Sequence, residues 1–131
     1  IPGSLVGSEM CIRDSNRGWT SACVSASPYE LLKNKLIKAN IFDYFSYVIG
    51  GDQVKRNKPY PDIYNKAISE LQTTKNIVIE DSPPGISSGK ASGSFVVAID
   101  RGIFSKDELN KADLIVDNLS IDIIETVFNS L

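Results

Sequence analysis

"VIEDSPPGIS", residues Val78–Ser87, runs an apolar, β-branched stretch straight into two adjacent carboxylates, then a hydroxyl, two prolines and a glycine. It reads as a buried strand that stops at its acids, followed by a helix opened by proline. The near-continuous apolar text of "NIVIE" implies that both faces of the strand are covered, as in parallel sheets. Covering both faces takes helices, and the flanking sequence supplies them.

Downstream, "FVVAI" at Phe95–Ile99 repeats the buried-strand pattern after a short helix that follows Pro84 and ends near Gly93. "SKDE" at Ser105–Glu108 is a capping box, "DLIV" at Asp113–Val116 a short strand, and Ser120–Leu131 a closing helix. Upstream, Gly18 is a helix stop before a strand at about Thr20–Val24 and a turn at Ser25–Ser27. "SPYE" at Ser27–Glu30 predicts a cap at Ser27, with Pro28 as the first helical residue, and Leu31, Leu32 and Ile37 carry the helix to about Ala39. A link through Phe42 and Phe45 leads to a strand at Tyr47–Ile49, closed by "GGD". A polar loop with "KRNKPYPD" precedes a helix from about Pro61 to Leu71, with Ile63, Ala67, Ile68 and Leu71 on one face. This alternation predicts an α/β fold, a Rossmann-like parallel sheet with helices on both faces.

Residues 1–15, "IPGSLVGSEMCIRDS", show neither period and read as a foreign leader resembling translated adaptor sequence, which leaves 16–131 as a partial core domain. At 131 residues the chain has room for one domain, and 42% hydrophobic with 23% charged residues suits a globular core. A net charge of −2 without long runs of either sign argues against nucleic acid as a partner, and no segment matches a membrane span. The expected location is the cytoplasm. Two cysteines cannot staple the fold, Cys23 reads as a small buried hydrophobe, and the absence of histidine removes His-based triads and His-ligated metals.

Ligands of open α/β sheets bind beyond the carboxyl ends of the strands, which selects Ser25–Ser27, the Lys58 loop and Glu80–Ser82. Each has a plain alternative: a helix cap at Ser27, a solvated lysine beside a helix starter, acids placed for a helix dipole. Together they form a chemical set. Adjacent carboxylates suit Mg²⁺, while a serine with free amides and a lysine suit a phosphate.

"CVSASP", "KPYPDIYNKA" and "VIEDSPPGISSGKASG", in that order, resemble the haloacid dehalogenase-like hydrolases, and within them the β-phosphoglucomutase-like phosphatase group. The resemblance implies that Ser25 and Ala26 bind the phosphoryl group, that Lys58 stabilises its charge and orients the nucleophile, and that Glu80 and Asp81 hold Mg²⁺, one directly and one often through water. Ser82 would order their loop. The substrate implied is a small phosphorylated metabolite, and Pro28 and Tyr29, standing where sugar phosphomutases of the family carry lysine and asparagine, favour a phosphatase.

The family's aspartate nucleophile lies in a D-x-D element on the first strand, and this sequence contains no such element; Asp14 is the only aspartate before Ser25. The helical cap between that strand and the serine strand is also missing. Because the first strand is central in the family's sheet, the expectation is an incomplete sheet and a carboxyl-terminal fragment that folds poorly or associates and has no activity of its own. A non-catalytic module that binds phosphate and Mg²⁺ remains an alternative. A phospho-receiver does not fit, because there the acids precede the lysine.

Overall fold

A computed structural model describes residues 19–131; the leader and the helix stop at Gly18 lie outside them. Among the described residues five strands alternate with five helices: β1 (Ala22–Val24), α1 (Tyr29–Lys38), β2 (Tyr47–Ile49), α2 (Asp62–Leu71), β3 (Ile77–Glu80), α3 (Pro83–Ala91), β4 (Phe95–Ile99), α4 (Lys106–Leu109), β5 (Leu114–Val116) and α5 (Ile121–Ser130). Short 3₁₀ turns at Phe42–Tyr44 and Gly51–Gln53 flank β2.

All strand pairs are parallel, but they form two sheets rather than one. β1 pairs with β2 from Ala22 opposite Tyr47 to Val24 opposite Ile49. β3, β4 and β5 form the second sheet, with Glu80 opposite Ala98 and Val97 opposite Leu114. No strand of the described residues joins β1 to β3, which agrees with the incomplete sheet expected from the sequence. Between them lies a cavity of 570 Å³ lined by Ala22 and Val24 of β1, Ile77, Val78 and Ile79 of β3, and side chains of α2 and α5.

Two apolar layers hold the sheets together. On one side Val24 and Ile49 of the first sheet and Val78, Val96 and Ala98 of the second share a core with Ile63, Tyr64 and Ala67 of α2, Ile86 of α3 and Leu109. α2 is amphipathic, and its buried stripe spans both sheets. On the other side Cys23, Leu32, Leu36, Ile41 and Phe45 pack together, with Val48, Ile79 and Leu119 against them. Cys23 is buried, as its apolar surroundings predict.

One sequence expectation fails at a helix start. Ser27 does not cap α1: the helix begins at Tyr29, Pro28 occupies the cap position and no side-chain cap bond forms there. Instead Asp52, from the 3₁₀ turn after β2, accepts the Tyr29 N–H at 2.9 Å. A local motif has lost to a tertiary acceptor that also brings a negative charge to the helix N-terminus. The capping box at Ser105 and Glu108 forms as expected, and Ser82 and Ser120 cap α3 and α5 through their hydroxyls.

Asp113 ties the second sheet to α3. It accepts the Val96 N–H at 2.8 Å and two contacts from Lys90 Nζ, each 2.8 Å. Burial pushes its pKa up, but the Lys90 and Val96 hydrogen bonds and the Lys90 charge outweigh this and hold it below the usual aspartate value. A depressed folded-state pKa stabilises the fold above the unfolded value, and that contribution is lost as pH falls through the folded one. Asp113→Asn should lower stability by about 1 kcal/mol at neutral pH and flatten the acid limb below about pH 4, read from urea midpoints across pH. Leu36→Ala, at a fully buried position, should cost about 2–5 kcal/mol in the same assay.

Candidate active site

The carboxyl ends of β1 and β3 meet around Lys58. Its ammonium donates to the Val24 carbonyl at 3.3 Å and to Glu80 Oε1 at 2.6 Å. The pair is buried, with side chains 6% and 2% exposed. The hydroxyl of Tyr64, on the buried stripe of α2, donates to the same Glu80 oxygen, and its ring lies 5.2 Å beneath the ammonium.

Gly85, in the first turn of α3, is what lets Glu80 fit: a Cβ there would stand 2.0 Å from Oε2. Both carboxylate oxygens are therefore enclosed, one by two donors and the other by the positive end of a helix. Asp81 stands differently. Its carboxylate is 19% exposed and, among the described residues, meets Arg101 Nη1 at 3.2 Å, from a side chain that is itself 56% exposed. Ser82 caps α3 through the Gly85 N–H at 3.4 Å, which orders the loop after the acids.

Ser25 extends the β1 ladder, its N–H donating to the Ile49 carbonyl at 3.1 Å. It is 1% exposed. Its Oγ accepts the Ser27 N–H at 3.1 Å, and among the described residues its hydroxyl proton has no acceptor. The Ala26 N–H has none either. Lys58 uses two of its three N–H groups on Val24 and Glu80. A hydroxyl, an amide and an ammonium proton thus remain available at one edge of the sheets, the donor set an oxyanion requires.

Among the described residues, no group of three or more His, Cys, Asp or Glu side chains is placed to hold a metal ion. No helix among them is long and apolar enough to cross a membrane.

The sequence profile of haloacid dehalogenase-like hydrolases matches residues 9–99. The chain belongs to this family. Within the haloacid dehalogenase-like hydrolases it is 28% identical over 124 residues to "Probable phosphatase IndB" of Dickeya dadantii, covering 92% of this chain and 53% of that protein. It is 44% identical over 57 residues to the bifunctional riboflavin kinase/FMN phosphatase of Arabidopsis thaliana, 42% of this chain and 15% of that one. In fold it resembles the crystal structure of a β-phosphoglucomutase from Clostridium difficile, with a TM-score of 0.79 at 24% identity over 99% of this chain and 57% of that one. The matched stretch covers about half of the Dickeya and Clostridium proteins, 53% and 57%, and 15% of the Arabidopsis one.

Ser25, Ala26, Lys58, Glu80 and Asp81 all sit at this edge. Sequence reading missed Tyr64, Asn57 and Arg101. Tyr64 carried one usable signal, a polar tip on the apolar stripe between Ile63 and Ala67, where a hydroxyl must find a partner. Glu80→Ala should cost about 3–5 kcal/mol, because it strands the Lys58 charge in a buried site. Lys58→Met combined with Glu80→Leu should recover most of that loss in urea unfolding, and a double variant no more stable than Glu80→Ala would show that the pair is held by more than mutual compensation.

Proposed function

We propose that this chain carries the phosphate- and cation-holding half of a Mg²⁺-dependent phosphoryl-transfer hydrolase acting on a small phosphorylated metabolite. The observation that carries the reading is that Ser25 and Ala26 end β1 beside the carbonyl that Lys58 binds, and that among the described residues the Ser25 hydroxyl proton and the Ala26 N–H have no acceptor. The two phosphatase-named relatives support a hydrolase rather than a mutase. So does the resemblance, since Pro28 and Tyr29 stand where sugar phosphomutases of the family carry lysine and asparagine.

The donor set fits Mg²⁺ in a limited way. This cation takes one or two carboxylates and leaves its remaining positions to water and phosphate oxygens. Asp81, partly open, is assigned the direct bond; Glu80, given over to Lys58, Tyr64 and the start of α3, is assigned the indirect place. When bound, the cation would neutralise charge on phosphoryl oxygens. Lys58 supplies a fixed positive charge to the phosphoryl group, with Glu80 holding its amine in place. The Ser25 hydroxyl and the Ala26 amide grip oxygens without needing to reorganise.

The sequence contains no D-x-D element, and among the described residues the aspartate at this edge, Asp81, is the one assigned to the cation. The chain should therefore bind inorganic phosphate without hydrolysing phosphomonoesters. Calorimetric titration should show phosphate binding that Ser25→Ala and Lys58→Ala each weaken by about tenfold or more, since hydrogen bonds to charged groups contribute about 1.5–3 kcal/mol. Turnover of a generic phosphomonoester with Mg²⁺ would overturn the inactive reading, and phosphate binding indifferent to both substitutions would overturn the seat.

A further inference from the structure

Asn57 precedes Lys58, and its side-chain amide is bound at both ends. Its Nδ2 donates to the Ala26 carbonyl at 3.1 Å, and its Oδ1 accepts the Lys58 N–H at 2.8 Å. The orientation of the amide is dictated by its partners, a carbonyl on one side and an N–H on the other, so a flipped side chain would set like groups against each other.

The peptide plane it grips is the one that shapes the seat. The Ala26–Ser27 peptide has its carbonyl held by Asn57 and its N–H held by Ser25 Oγ at 3.1 Å. With Oγ accepting that N–H, the Ser25 hydroxyl proton is left to point elsewhere. The next peptide, Ser27–Pro28, is held as well, because the Gly51 N–H donates to the Ser27 carbonyl at 2.9 Å. Gly51 has no room for a side chain: a Cβ would stand 2.4 Å from both the Ala26 carbonyl oxygen and Asn57 Nδ2.

We propose that Asn57 is a positioning residue that locks the Ser25–Ser27 turn to the backbone of Lys58, so that the two sides of the anion seat are set in register before any phosphate arrives. Asn57 need not touch the anion. Its two bonds join turn and lysine, segments far apart in the chain, into one rigid donor array, and preorganised donors bind more tightly because less freedom is lost on binding. The inference rests on reading Ser25, Ala26 and Lys58 as a phosphate seat.

The test uses the full chain, with inorganic phosphate as the probe. Asn57→Ala should weaken phosphate binding about three- to tenfold, the range expected for losing net hydrogen bonds at a partly solvated site. Its thermal midpoint should move by no more than about 4 °C. Gly51→Ala, which drives Ala26 and Asn57 apart without removing either, should produce the same weakening. A further measurement needs no variant: the Ser27 and Lys58 amides of the unaltered chain should be protected from hydrogen exchange before phosphate is added. Free exchange of both that slows only when phosphate is added overturns the clamp, as does an Asn57→Ala chain that binds phosphate like the unaltered one. No phosphate binding by the unaltered chain overturns the seat itself and the clamp with it.

Discussion

The contact on which the functional end depends is the two-way hold on the Lys58 ammonium. One ammonium reaches the last carbonyl of β1 and the carboxylate that ends β3, two strands that no described strand joins. Apolar packing through α2 holds the sheets together along their length, but it is non-directional and does not fix how the strand ends face each other. The lysine does, because a short buried ion pair tolerates little displacement before its desolvation cost is uncompensated.

That arrangement divides two neighbouring acids into different kinds of group. Glu80 is walled in by a lysine, a tyrosine and a glycine at a helix start, and its charge is balanced within the protein. Asp81, one residue on, has turned across the sheet edge toward an exposed arginine. The strand ends at Glu80, and Asp81 lies in the bend that follows it. Adjacency in sequence therefore produced one structural and one accessible carboxylate, where a reading of the text treats both as a matched pair.

Much of the fold was legible because its signals are local and strong. "YVI" and "FVVAI" mark β2 and β4 with the observed boundaries, and the Ser105 capping box forms as its residues dictate. What escaped was decided by partners distant in the chain. Ser27 carries every local sign of a cap, yet Asp52 takes the role because the turn after β2 brings a carboxylate to the helix end. The site followed the same division: Ser25, Lys58 and the acids were visible as residue types at strand ends, whereas the contribution of Tyr64 depends on α2 packing against the first sheet so that its hydroxyl reaches Glu80. Nothing in "QVKRNKPYP" by itself says that Asn57 will meet a carbonyl 31 positions away.

The Asp52 contact also bears on the order in which the chain can assemble. α1 has a proline at its cap position and no side-chain acceptor nearby, so its first turn is poorly nucleated on its own. The acceptor arrives only when a loop spanning 23 residues closes, which is the docking of β2 beside β1. Closing such a loop costs entropy before any bond repays it. The start of α1 and the serine turn in front of it therefore depend on sheet formation, and a peptide cut to cover only the first strand and helix would hold the residues of that turn without the acceptor that fixes it.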